Sequence, residues 1–256
     1  MNSLCLPPAQ LRDTMSRLAY FRGWDTALVS RLAANSKQFV VAKDTCPLSK
    51  GDMPEHMYVL VSGQLRLYIP LSNGSERIVT LVAPGEGFGE ASLLTGLVLP
   101  YSVSACRDSH VIAVDAHAYL REVSTTPAMM GAMLNLISMR LMVTLRDLEI
   151  CSQPSSLQRV IRFLICHQPN ADVEEIAIDL PGRKRDIAAK LGLTQETFSR
   201  MLGHLGQQGV ITVNGGAVQI NSLSRLRQMD VAICDKEILK FREIDPGQAA
   251  GRIFAG

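Results

Sequence analysis

Residues 184–211, KRDIAAKLGLTQETFSRMLGHLGQQGVI, constrain this chain more than any other stretch. Ile187, Ala188 and Leu191 fall on one apolar helical face. Gly192 permits a sharp turn and Leu193 drops into the core. Thr194 is a good N-cap for a second helix, with Glu196 in its first turn. Phe198, Met201, Leu202 and Leu205 supply that helix's buried face. Gln195, Glu196, Ser199 and Arg200 are left outward near its N-terminal end, where base-reading side chains enter a major groove. Two helices around a glycine turn also occur in enzymes, so periodicity alone leaves both readings open. The next segment favours DNA. Residues 210–213 alternate like a strand, Asn214-Gly215-Gly216 is a hairpin turn, and residues 217–220 return. A helix-turn-helix followed by such a hairpin is a winged helix. Between residues 181 and 206, Arg183, Lys184, Arg185, Lys190 and Arg200 outnumber Asp186 and Glu196, which suits phosphate contact.

The whole chain of 256 residues carries a formal charge of only +2, with 47% hydrophobic residues. It can bury one or two solid cores. Its balance argues against a histone-like coat of nucleic acid and allows one basic face. The N-terminus lacks a basic region followed by an apolar run, and no apolar stretch approaches a membrane span, so a cytoplasmic protein without a membrane partner is expected. Cys5, Cys46, Cys106, Cys151, Cys166 and Cys234 form no C-x-x-C pair, so a zinc ribbon is not expected and the thiols read as free. No nucleophile–base pair, metal-ligand spacing or phosphate-binding loop supports an enzyme.

Along the chain, residues 1–36 read as helical, with Leu11, Met15 and Leu18 on one face and a break at Phe21-Arg22-Gly23-Trp24. From Phe39 to Val114 the period is two. Residues 57–69 read as two short strands around Ser62-Gly63, Asn73-Gly74 marks a hairpin, and residues 77–82 and 101–114 supply further strands of an antiparallel roll. Pro127 stands near the start of a long helix. Within it Met130, Leu134, Ile137, Leu141, Thr144 and Leu148 alternate spacings of four and three, which is a coiled-coil seam; a helix packed on its own domain is the competing reading. Residues 152–156, Ser-Gln-Pro-Ser-Ser, read as hinge and cap. Leu157, Val160, Ile161 and Leu164 begin another amphipathic helix, and Ile176, Ile178 and Leu180 alternate as a strand. After Leu226 the pattern weakens toward a loosely held tail. The expected organisation is an α+β chain: an effector-sensing roll over 1–125, a dimerisation helix over 126–151, a winged helix-turn-helix over 152–232 and a tail over 233–256.

Roll, long helix and winged helix follow the order of the CRP/FNR transcription regulators, and the residues resemble that family too. Lys50-Gly51-Asp52, Met57-Tyr58 with Ser62-Gly63, Asn73-Gly74 and the run Pro84-Gly85-Glu86-Gly87-Phe88-Gly89-Glu90 resemble its cyclic-nucleotide-type roll. Asp186-Ile187-Ala188 and the run from Leu191 to Arg200 resemble its helix-turn-helix. The resemblance implies a homodimer on a palindromic promoter site, an effector or redox signal received in the roll, and RNA polymerase as a further partner. Lys184, Arg185 and Lys190 are expected on phosphates. Glu196, Ser199 and Arg200, with Thr194 and Gln195 beside them, are expected at an FNR-like palindrome with TTGAT-type half-sites.

Departures from the family pattern bear on the signal. Its cyclic-AMP receptors place a Glu in the Phe-Gly-Glu turn on the ribose and an Arg, followed by Ser or Thr, on the cyclic phosphate. Glu90 is present, but residues 98–104 read Val-Leu-Pro-Tyr-Ser-Val-Ser, without Arg. A buried phosphate with no cation would be badly desolvated. The candidate pocket residues are therefore Gly89, Glu90, Tyr101 and Ser102, with a cyclic-nucleotide regulator of atypical pocket as the alternative. The closely spaced N-terminal cysteines of the iron–sulfur members are missing, since only Cys5 lies in that region. The remaining resemblance is to the cluster-free, nitrogen-oxide-responsive branch (Dnr/Nnr-like), some of whose members use haem. His56, His110, His117 and Cys46 are the candidate haem ligands, and a haem-bound gas or another small effector is the expected signal.

Overall fold

The computed structural model describes residues 2–4, 6–168 and 173–230. Contacts divide the chain within one long helix, between Ile137 and Ser138. The first unit begins with β1 (Asn2–Leu4), α1 (Pro8–Arg17), a 3₁₀ turn (Ala19–Phe21) and α2 (Thr26–Ala34). The strands β2 (Ser36–Val41), β3 (His56–Pro70), β4 (Glu76–Val82) and β5 (Gly87–Phe88) follow, then α3 (Glu90–Thr95), β6 (Ser102–Asp115), α4 (Ala116–Thr125) and the first half of α5 (Pro127–Cys151). The sheet is antiparallel, in the order β1-β2-β6-β3-β4, with β5 on β3.

Alternate residues of a strand point to opposite faces, and here both faces are buried. Met57 and Val59 of β3, with Ile112 and Val114 of β6, enter a core with Leu11, Met15, Leu28, Leu32 and Tyr119 of the helices and Met129 and Met133 of α5. Their neighbours Tyr58 and Leu60, Val111 and Ala113 enter the roll interior with Phe88 and Val103. Arg31 of α2 donates to both carboxylate oxygens of Glu122 on α4, at 3.0 and 2.8 Å, and holds that carboxyl below its usual range.

One expectation is corrected here. Residues 57–69 form not two strands around Ser62-Gly63 but part of the single strand β3, whose pairing to β6 shifts register between Leu60 and Leu65. The irregularity changes parity: Tyr58 and Leu60 face the roll interior before it, Leu65 and Leu67 after it. Gly63 makes it possible. Its φ is +97°, and a Cβ there would meet Ser109 Oγ at 2.3 Å and Asp108 O at 2.6 Å. The Asn73-Gly74 hairpin stands as expected, closed by Leu71 N donating to Ser75 O at 2.9 Å.

α5 is also long and apolar enough to cross a bilayer by length and composition, which overturns the expectation that no stretch is. The seam spacing marks an amphipathic stripe, while apart from Arg140 the helix's charges, Arg146, Asp147 and Glu149, crowd the last turns and leave the rest uncharged.

The second unit takes the rest of α5, then α6 (Ser156–His167), β7 (Ile176–Asp179), α7 (Lys184–Lys190), α8 (Gln195–Gln207), β8 (Ile211–Asn214), β9 (Ala217–Ile220) and α9 (Leu223–Met229). Its sheet runs β7-β9-β8. Ser155 caps α6, its hydroxyl accepting from Leu157 N at 3.2 Å. α6 packs on α8, with the Phe163 and Phe198 rings edge to face at 6.3 Å. The weakening pattern after Leu226 conceals α9, capped by Ser222. The expected tail, Cys5 and Cys234 lie outside the described residues. The architecture is the expected α+β arrangement of roll, long helix and helix-turn-helix.

Gly63→Ala combines an unfavourable backbone angle with a collision against backbone atoms. It is expected to cost about 2–4 kcal/mol, read as a lower urea midpoint at unchanged slope.

Candidate nucleic-acid interface and roll site

Thr194 starts α8, its Oγ1 accepting from Thr197 N at 3.1 Å. Ahead of it Gly192 adopts φ +66°, and Leu193 N donates back to Ala188 O at 2.8 Å, which closes the turn from α7. Phe198, Leu202 and Leu205 are buried, while Met201 is half-buried. The burial of that face pins the opposite one outward: Thr194, Gln195, Glu196, Ser199 and Arg200 are all exposed. Arg185 is exposed and Lys184 half-buried at the start of α7. The wing hairpin turns at Gly215, φ +59°.

Lys190, expected on a phosphate, is engaged within the protein. Its ammonium lies 2.9 Å from Asp147 of α5, with the two side chains only 14% and 18% exposed. It belongs to a set of polar links between the end of α5 and the reading module. Cys151 Sγ donates to Lys190 O at 3.3 Å. Arg159 donates to Gln153 O at 2.7 Å and to Leu191 O at 3.3 Å. The buried Arg162 pairs with Asp230 at 3.1 Å and with Glu149 at 2.6 Å. The stretch read as a hinge, residues 152–156, is therefore bridged on both sides. Asp147, Glu149, Arg159 and Arg162 escaped the sequence reading because partners that meet only in three dimensions leave no spacing signal.

In the roll, Gly89 begins α3 with φ +94°. Its N–H donates to the Tyr101 hydroxyl at 3.2 Å, so a tyrosine satisfies the turn. Burial pushes the Tyr101 phenol above its usual range. Glu90 is 1% exposed, and Ser102 Oγ accepts from Lys50 N at 2.9 Å. The four candidate pocket residues thus share one region of the roll, where Gly89, Tyr101 and Ser102 are engaged with protein atoms.

Among the described residues, no group of three or more His, Cys, Asp or Glu side chains is placed to hold a metal ion. His110 Nδ1 is bonded to Gln38 Nε2 at 3.1 Å, and His117 is exposed on α4. Cys46 is exposed, its thiol donating to Leu48 O at 3.3 Å and accepting from the Tyr68 hydroxyl at 3.6 Å. His56 lines a concavity, but Asp52 and Glu55 line it too, with no Lys or Arg. Haem carries two carboxylates, and placing them beside two more without a cation is unfavourable. The residues around His56 do not fit haem.

Along α5, Met130, Leu134, Leu141 and Leu148 are 51–69% exposed and Ile137 is half-buried. Met129 and Met133, on the adjoining face, are buried in the first unit's own core. Val143 and Leu145, outside that stripe, are exposed as well, so the helix carries a buried face and a wide open apolar one.

Two families match this chain: the cyclic nucleotide-binding domain over residues 38–126 and the Crp-like helix-turn-helix domain over residues 158–229. The cyclic AMP receptor protein of Thermus thermophilus is 29% identical over 182 residues, 70% of this chain and 82% of that protein. The nitrogen fixation regulation protein FixK of Azorhizobium caulinodans is 27% identical over 206 residues, 78% of this chain and 81% of that protein. Among solved structures, FixK2 from Bradyrhizobium japonicum superposes with a TM-score of 0.66 at 25% identity, covering 78% of this chain and 99% of that one.

If Lys190 and Asp147 hold each other, their effects on stability are not additive. A cycle of Lys190→Met, Asp147→Asn and the double variant is expected to give a coupling of about 1–2 kcal/mol in chemical denaturation. Additive losses would mean that the pair contributes nothing.

Proposed function

We propose, from its membership of the CRP/FNR family of DNA-binding transcription regulators, that this chain acts as a homodimer on a twofold promoter site with TTGAT-type half-sites. The observation that carries this reading is the outward face of α8, where Glu196, Ser199 and Arg200 stand exposed above a buried Phe198–Leu202–Leu205 stripe. Arg200 can give two donors to guanine O6 and N7, and Glu196 can accept from cytosine N4. Arg185 and Lys184 contact phosphates, and Lys190 ties the reading module to α5. The open stripe of α5 supports the dimer, since large exposed leucines at coiled-coil spacing are stabilised by a second copy. Twofold pairing sets the reading helices about one DNA turn apart. RNA polymerase is the partner that such a promoter-bound dimer meets.

A signal received in the roll shifts DNA binding only if its molecule prefers the DNA-competent state. The sequence resemblance offers a haem-bound nitric oxide signal, and the FixK relatives keep the reading in the FNR direction. The charge around His56 favours a different small molecule. The match to a cyclic nucleotide-binding domain keeps a cyclic nucleotide as the second reading, against which stands the missing cation near Pro100.

Selection from random duplexes is expected to recover the inverted repeat; recovery of no inverted repeat sinks the proposal. Arg200→Ala should cost about 1–3 kcal/mol and relax the preference at the guanine. Arg185→Ala should lower the salt slope of binding by about 1, whereas Lys190→Ala should leave that slope unchanged. Leu134→Asp with Leu141→Asp should sediment as a monomer and lose operator binding, because charges in a water-excluded seam are far costlier than lost leucines. A folded, dimeric double variant would locate the seam elsewhere.

A further inference from the structure

The roll carries a concavity that DNA reading does not use, of about 400 Å³, within the range of small-molecule sites. Phe39, Leu48 and Met53 give it apolar surface, and Asp52 and Glu55 stand exposed at it with His56 beside them. Tyr58 completes the lining. Its body is buried, the residue being only 4% exposed, and it lines the concavity. A phenol offers a ligand one donor and one acceptor. Burial, with Glu55 and Asp52 nearby, pushes this phenol up to about 12, so it stays neutral and able to accept as well as donate.

The charge of the lining decides what fits. Two carboxylates and no Lys or Arg reject a phosphate, a carboxylate or a haem propionate. An ammonium or guanidinium group is suited instead. Its N–H groups pair with carboxylates in charge-assisted bonds, and aromatic surface attracts the cation. The apolar walls then take a hydrocarbon or aromatic tail. Among the described residues, no group of three or more His, Cys, Asp or Glu side chains is placed to hold a metal ion, and the apolar walls suit an organic cation.

We propose that the signal received by the roll is a small organic amine, bound in this concavity by Asp52, Glu55 and Tyr58. This deepens the regulator reading above and rests on it for the word signal. A route outward exists within the first unit. Tyr58 stacks on Phe88 at 5.2 Å. The next residue, Gly89, lies so near that a Cβ there would touch the Tyr58 ring and His56 O at 3.5 Å. Gly89 starts α3, and Leu93 of α3 shares a core with Met129 and Met133 of α5. A ligand that shifts Tyr58 therefore loads the helix that carries the open stripe.

The test titrates the full-length protein by calorimetry with phenethylamine, agmatine, choline and spermidine, and with phenylacetate and cyclic AMP as anionic counterparts. Operator affinity is measured in parallel with and without each compound. At least one amine is expected to bind with Kd below about 1 mM, roughly ten-fold or more tighter than either anion, and to change operator affinity. Asp52→Asn with Glu55→Gln should weaken it by about ten-fold or more, and Tyr58→Phe by a smaller factor. Should a variant unfold, hydrogen exchange across residues 52–60 of the wild-type protein, slowed by the amine and not by phenylacetate, reads out the same site. Binding by none of the amines, equal binding of an anion, indifference to the double substitution or an unchanged operator affinity overturns the proposal. Failure of every form to bind an operator, with the amine still bound through Asp52 and Glu55, strikes the DNA-reading proposal instead.

Discussion

Two strands buried on both faces govern this fold. Along β3, Met57, Tyr58, Val59 and Leu60 alternate between a helical core and the roll interior, and β6 does the same with Val111 to Val114. Neither face reaches water, so each needs its own cover. α1, α2, α4 and the first half of α5 cover one, and the closing strands cover the other. The roll and the start of the long helix are thereby two sides of the same sheet. A side-chain movement on β3 has few places to go that do not touch one core or the other.

Aromatic side chains close the turn at the end of the roll's short strand. The turn that ends β5 is held by Tyr101, whose phenol takes the Gly89 N–H, and Phe88 is stacked on Tyr58. Aromatic side chains fill space and satisfy a backbone donor where an anionic ligand would need a cation. Fold likeness therefore says where a signal can be received and little about its charge, which individual side chains set.

Features governed by local chemistry were legible in the sequence. The Thr194 cap, the Gly192 turn, the Asn73-Gly74 hairpin and the apolar face of α8 follow from backbone preferences and periodicity, and the structure has them. The reading failed where tertiary packing overrides local signal. Ser62-Gly63 looks like a turn, yet the long pairing with β6 carries β3 straight through it. Lys190 looks like a surface cation, yet Asp147 meets it from a helix more than forty positions earlier. Tyr58 stands in the sequence only as part of a family motif, since the lining of a concavity is invisible until its neighbours are placed.

The links across residues 152–156 bear on where this protein can be cut. A fragment beginning at the linker would look complete by motif, with every helix of the reading module present. It would leave Lys190 without Asp147, the Cys151 thiol absent from the α7 turn, and the 3%-exposed Arg162 with one carboxylate instead of two. A piece that keeps these links starts inside α5, ahead of Asp147. Chimeras that exchange sensors between such regulators would then be joined in mid-helix, in register with the heptad, rather than at the proline that looks like the seam.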